Sequence, residues 1–234
     1  GFDPHFTSFD GETYSTLEDY LGLDLILVTH GHFEHWADVP AIASASQVRV
    51  ATSAELGATM VDGGLDRARL IVLEEGQPVR FGDVEVTPHI WVHRTMMDRW
   101  PLLLASRPDA PDKMRGPIRQ STEAPLLGFR LEIPQVGPLT WVGEAFHNQT
   151  RPELVAHLRS QGDPGPTFVS LEPELEDFAA QAVGWFRPGA VVAFSAHTPL
   201  WDYFGLPRVC PERFAGQVSG CPVRYLEPGD SFLL

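Results

Sequence analysis

LILVTHGHFEHWAD, residues 25–38, sets three histidines and a glutamate within six positions directly behind an apolar run. The run itself, LDLILVT (23–29), is nearly continuous in Leu, Ile and Val, the pattern of a strand covered on both faces. His30 and His32 follow at i, i+2, so an extended backbone sends both imidazoles to one side. Glu34 and His35 come next, where the chain is expected to turn into a helix around Trp36–Ala43. Imidazoles and a carboxylate crowded this tightly waste solvation unless a cation gathers them. Nitrogen and carboxylate oxygen donors suit Zn, Mn, Fe or Co. Four such groups can face two neighbouring cations, two to each, so the remaining donors must come from elsewhere.

Other strand ends supply them. QVRVAT (47–52) and ARLIVLE (68–74) read as buried strands. VRFGDVEVTPHIWVH (79–93) reads as a hairpin turning at Gly82-Asp83. In its second arm Glu85, Thr87, His89, Trp91 and His93 share one face, and Val84, Val86, Ile90 and Val92 share the other. LLGFRLEI (126–133), LTWVGE (139–144), TFVSLE (167–172), AVVAFSAH (190–197) and VRYLEP (223–228) continue the series. His93, Glu144 and His197 each close one of these runs and are the candidate partners of the first cluster. TRPELVAHLRS (150–160) is expected to be a helix with a capping box, Thr150 as N-cap and Glu153 reaching back. EDFAAQAVGWF (176–186) and PERFAGQVSG (211–220) are expected helices. Strands and helices mixed along the whole chain predict an α/β protein, with sheets sandwiched between helical layers.

Composition bounds the partners. At 234 residues the chain suits one domain, residues 1–234, and its 43% hydrophobic and 21% charged content is globular. No run approaches the ~20 apolar residues needed to span a bilayer. A formal charge of −14 disfavours nucleic acid as a partner. Two cysteines, Cys210 and Cys221, are too sparse for a disulfide framework, and GFDPHFTSFDG is not built like a signal peptide, so cytoplasmic residence is the expectation. The segment 94–122 breaks the rhythm: Pro, Met and Arg between two strands, with six basic residues against three acids. A connection of this length is a candidate substrate lid whose arginines suit an anionic group.

With these residues in view, THGHFEHWAD resembles the metallo-β-lactamase superfamily signature His-x-His-x-Asp-His. The later order, a lone His, Gly-acid after a strand, then His after another strand, resembles the remaining ligand motifs. The spacing is most similar to the branch of ascorbate-6-phosphate lactonase and related small hydrolases. The resemblance starts at Asp3-Pro4, similar to the family's Asp-Pro, and runs to the chain's end; the family's strands before Asp-Pro have no counterpart here. It implies a metallo-β-lactamase-like αββα sandwich, two mixed sheets between helices, and a site for two divalent metal ions, zinc first, manganese or iron as alternatives. Carried over by position, His30, His32 and His93 hold one ion, Glu34, His35 and His197 the other, and Glu144 bridges. Glu34 and Glu144 stand where the family usually has Asp. The extra methylene moves each carboxylate by about 1.5 Å, so the backbone must retreat or the coordination mode must change.

The resemblance further implies a metal-dependent hydrolase: a metal-activated hydroxide attacks a lactone, amide or phosphoester of a small anionic metabolite, with Glu34 or Glu144 handling the proton. The alternative is a non-haem di-iron oxidoreductase or oxygenase on the same fold, favoured by the extra carboxylate length. His89, Trp91, Arg94 and His147 are candidate substrate contacts, with His89 the rival of His93 on the same strand face and His147 an alternative structural histidine. A homo-oligomer stays open.

Overall fold

The computed structural model describes residues 1–4, 15–93, 105, 124–195, 198–227 and 230. Arg94, His197 and the segment 94–122, except Ala105, lie outside the described residues. The chain divides into two compact units, Gly1–Gln77 with Leu102–Leu127 and Pro78–Pro101 with Gly128–Leu234.

In the first unit β1 (Leu25–Leu27), β2 (Arg49–Thr52) and β3 (Leu70–Val72) lie parallel in that order. Each is the core of an apolar run read from the sequence. Ile26, Leu27 and Val28 are all buried; successive side chains point to opposite faces, so both faces are covered and the run is continuous rather than alternating. Parallel neighbours need crossovers, and helices supply them. α1 (Phe33–Trp36) and α2 (Val39–Ala45) join β1 to β2, and α3 (Ala54–Asp62) joins β2 to β3. The single helix expected around Trp36–Ala43 is thus two. Pro40 has no N–H to return to the Trp36 carbonyl, so it opens a new helix instead of extending the first.

α3 was not foreseen from the sequence. Ser53 caps it, its hydroxyl accepting the Leu56 N–H at 3.3 Å. Gly57 lets α3 lie close on β3, because a Cβ there would stand 2.8 Å from a Leu70 methyl. Ile42, Leu56 and Met60 are fully buried in this core with Ile26, Val28 and Val50, each contributing about 1.5–3 kcal/mol by burial. The opening residues run alongside β1: Asp3 N–H donates to the Leu27 carbonyl and Leu27 N–H to the Gly1 carbonyl, with Phe2 paired parallel to Leu27.

The second unit is built on a seven-stranded mixed sheet, and its strands are β4 (Val79–Phe81), β5 (Val84–Ile90), β6 (Leu127–Ile133), β7 (Gly137–Ala145), β8 (Pro166–Ser170), β9 (Ala190–Phe194) and β10 (Val223–Leu226). The spatial order is β10-β9-β8-β7-β6-β5-β4, with β7 to β10 parallel and the pairs β6–β7 and β4–β5 antiparallel. The hairpin turns at Gly82-Asp83 as expected, with Gly82 at φ +57° and Phe81 paired to Val84. Strict alternation does not persist to the end of β5. Ile90 is 43% exposed and Trp91 3%, so the covered side chains at the strand's exit are the indole and His89.

Helices α4 (Pro152–Ser160), α5 (Glu176–Phe186), α6 (Thr198–Phe204) and α7 (Pro211–Gln217) complete the unit. α5 buries Ala179, Ala182, Val183 and Phe186 at helical spacing. Its outer side is tied to α7 by an Arg213–Asp177 fork, and Glu176 accepts the Cys210 N–H at 2.9 Å. The capping box expected at α4 does not form. Arg151 occupies the N-cap without a side-chain cap bond, because the Thr150 hydroxyl is taken by the His147 N–H at 3.1 Å. No helix among the described residues is long and apolar enough to cross a membrane.

Candidate metal centre

The turn after β1 collects the first candidate donors. His30 is buried, and its ring centroid lies 4.5 Å from that of His32 and 4.1 Å from that of His35. Behind them stands Asp3. Its carboxylate accepts the Thr29 N–H and the Thr29 hydroxyl, both at 2.7 Å, and lies 3.0 Å from His35 Nδ1. A hydroxyl has one proton, and here it goes to Asp3. The Thr29 oxygen, 2.8 Å from His30 Nδ1, therefore accepts from that nitrogen. His30 is thereby the Nδ1–H tautomer, and the lone pair sits on Nε2. The same carboxylate favours the Nδ1–H form of His35. His30 thus presents Nε2 as a candidate donor atom, with a carboxylate-held hydroxyl behind its Nδ1.

Asp3 holds this place at φ +41°, in the left-handed region. Asp tolerates that region better than most residues, and three contacts made by one carboxylate outweigh a backbone cost of about 1–3 kcal/mol. Glu34 lies beyond His32, its Oε1 3.9 Å from His32 Nδ1, with its side chain 25% exposed.

The second unit brings another pair together. His93 Nε2 lies 3.6 Å from Glu144 Oε1, and the Glu144 side chain is 4% exposed. Glu144 sits at an irregularity in β7: Trp141 pairs with Phe168 and Ala145 with Ser170, four steps on β7 against two on β8. Gly143, at φ +98°, lies in this bulge. A bulge re-aims the following side chain, which is one way a strand retreats to accommodate a longer carboxylate.

The other described sequence candidates in this unit, His147, Trp91 and His89, are interior. His147 is fully buried, Trp91 3% exposed and His89 1% exposed. His147 Nδ1 accepts the Gln149 N–H at 3.1 Å, so its Nε2–H donates to the Val92 carbonyl at 2.8 Å. The Trp91 indole N–H donates to the Ala145 carbonyl at 3.2 Å. His89 packs over Gly128, where a Cβ would fall 2.0 Å from its Nε2, and neither ring nitrogen is hydrogen-bonded among the described residues. Burial, then the charge of nearby His157, pushes its pKa down to about 3. It is a neutral interior imidazole, packed edge-on to Trp91.

Three residues were not legible as functional. Asp3 was visible only as part of a motif, Thr29 as the last apolar-run residue, and Gly143 as an ordinary strand glycine. The signal for Thr29 was its place directly before His30. For Asp3 the signal was the Asp3-Pro4 dipeptide, but nothing local showed its role, because its side-chain partners lie 26 or more residues away.

Imidazoles presenting lone pairs beside acceptor carboxylates fit a divalent cation better than any neutral solute. Comparison with known proteins agrees. The metallo-β-lactamase superfamily model matches residues 16–160, and the chain belongs to that superfamily. A protein of Anaeromyxobacter sp. (strain K), named UPF0173 metal-dependent hydrolase, is 28% identical over 218 residues, covering 88% of this chain and 69% of its own. The structure of Igni18, a metallo hydrolase of Ignicoccus hospitalis, superposes with a TM-score of 0.66 at 18% identity over 97% of this chain and 87% of that one. CmlA, a diiron β-hydroxylase of Streptomyces venezuelae, superposes at 0.61 with 13% identity over 95% of this chain and 49% of its own. These likenesses establish the metallo-β-lactamase fold, with two sheets and helices.

Proposed function

We propose that this chain is a metal-dependent hydrolase acting on a lactone, amide or phosphoester of a small anionic metabolite. The observation that carries the reading is the Asp3–Thr29–His30 arrangement, which puts the proton on His30 Nδ1 and the lone pair on Nε2, the form in which imidazole binds a cation. Superfamily membership and the metal-dependent hydrolase named among the relatives support it. Under this reading His30, His32, Glu34, His35, His93, Glu144 and His197 serve a dinuclear centre for zinc, or for manganese or iron.

A bound divalent cation supplies Lewis acidity, bringing the pKa of a water toward neutrality and drawing charge from the scissile group. The chain's own residues divide the remaining work. Glu34, the more exposed carboxylate, accepts a proton from the attacking water and can pass it to solvent. Glu144 is buried beside His93 and would offer its charge to a cation there. The basic excess in 94–122 favours an anionic substrate.

Stripping the protein with a chelator is expected to abolish hydrolysis across lactone, ester and phosphodiester panels, and adding back Zn or Mn to restore it. Hydrolysis indifferent to metal removal ends the reading. The second reading, a di-iron oxidoreductase, draws on the two glutamates at the carboxylate positions. Coloured, iron-rich protein that consumes oxygen with a reductant would favour it over the hydrolase.

A further inference from the structure

Glu144 stands on β7 and His93 lies three residues past the end of β5, and these two strands do not touch. β6 lies between β5 and β7 in the sheet, so no ladder hydrogen bond joins the exits of those two strands. Side chains join them instead. The Trp91 indole N–H reaches the Ala145 carbonyl, one residue after Glu144. In the opposite direction the His147 Nε2–H reaches the Val92 carbonyl, which shares a peptide plane with the His93 nitrogen. The two bonds span the gap between the strand exits, one landing on the peptide that precedes His93 and the other on the carbonyl one residue after Glu144.

His147 is rigidly set for this. Its ring is fully buried, so it has no access to solvent or to a diffusing solute. The Gln149 N–H at Nδ1 dictates which nitrogen carries the proton. Its backbone closes a turn with Thr150 at both ends: His147 N–H to the Thr150 hydroxyl, and Thr150 N–H to the His147 carbonyl at 2.8 Å. The Trp91 side of the clamp is anchored through Phe146, packed edge-on against Trp91, and Phe186 of α5 beyond it.

We propose that His147 is a positioning residue for the donor pair, holding through its Nε2–H the peptide that carries His93 so that the imidazole and the Glu144 carboxylate face one cation. The proposal rests on the metal reading above, since without a cation the pair has nothing to be positioned for. It assigns His147 neither to substrate nor to proton transfer. The hydrogen bond acts on His93 one peptide removed, as groups behind metal ligands do when they orient them.

The experiment uses the full chain with cobalt(II) as the probe, because its visible spectrum reports ligand number and geometry. Wild-type protein is expected to bind Co(II) in competition with a chelator. His147→Leu, checked for folding by circular dichroism, is expected to bind about 10–100-fold more weakly, with an altered visible band. His147→Gln places an amide N–H about where Nε2 lies and is expected to bind and absorb like wild type. His147→Asn is one bond shorter and is expected to behave like His147→Leu. Should the Leu variant not fold, the Gln and Asn pair decides. Gln and Asn variants with the same affinity and spectrum, or a folded Leu variant indistinguishable from wild type, overturn the proposal while leaving the metal reading intact. Wild-type protein that does not bind Co(II) removes the metal reading and this proposal with it.

Discussion

The two groups of candidate donors are held by different means. After β1, donors adjacent in sequence are oriented from behind by other side chains: Asp3 grips Thr29 and faces His35, and Thr29 sets the His30 tautomer. At the exits of β5 and β7, donors 51 positions apart are held by side chains bonding to backbone carbonyls beside them. A contiguous motif comes with its spacing built in and needs only its ring orientations controlled. A pair on separate segments must have its backbone positions controlled as well. Substitutions that act on one mode and not the other sharpen the contrast.

The largest effect is expected from Asp3→Ala. It strips Thr29 of two charge-assisted bonds at once, a loss of roughly 2–4 kcal/mol, and frees the Thr29 hydroxyl to donate to His30, inverting that tautomer. Metal affinity is expected to fall about 10–100-fold, measured by chelator competition beside urea unfolding of the metal-free protein. Unchanged affinity in a folded Asp3→Ala variant would break the contrast, since the first group would then orient itself.

An intermediate effect follows from His89. Its folded-state pKa of about 3 lies below the ordinary 6.5, so between those values the unfolded chain binds a proton that the folded chain refuses. Stability is therefore unaffected by this group above pH 6.5 and falls as pH drops toward 3, by at most about 1.4 kcal/mol per unit. Urea midpoints measured from pH 7 to pH 5 are expected to decline more steeply for wild type than for His89→Phe. Equal slopes would show that the His89 imidazole is reached by water or protonated at little cost.

The smallest effect is expected from Arg213→Ala. Its fork to Asp177 holds the Asp177 carboxyl below its usual range, but both groups are exposed to solvent. Screening leaves such a pair little net worth. Neither metal affinity nor the urea midpoint is expected to move beyond replicate scatter, and a clear shift in metal affinity would mean that α5 and α7 help to set the donors.

Much of the architecture could be read without coordinates. Each strand overlaps an apolar run quoted from the sequence, although β7 extends past its run at both ends and β8 starts one residue earlier, and α5 matches its segment residue for residue. Burial acts on each stretch separately, so hydrophobic pattern reports it locally. α3 escaped because Gly57 weakens its helical signature for the sake of contact with Leu70, a tertiary demand. The expected capping box failed for the same kind of reason: the Thr150 hydroxyl was claimed by His147 from outside the helix.

By itself, then, the sequence determined which strands exist, where the histidine-rich turn falls, and that its residue types are those of a cation site. Only the tertiary structure decided which nitrogen of His30 and of His147 bears the proton, that Asp3 stands behind two of the histidines, and that His147 bonds to the carbonyl of the peptide preceding His93. The physical reason is one of range. Side-chain identity and hydrophobic period are properties of a short stretch, whereas a hydrogen bond between residues tens of positions apart exists only once the chain has folded to bring its two ends within 3 Å.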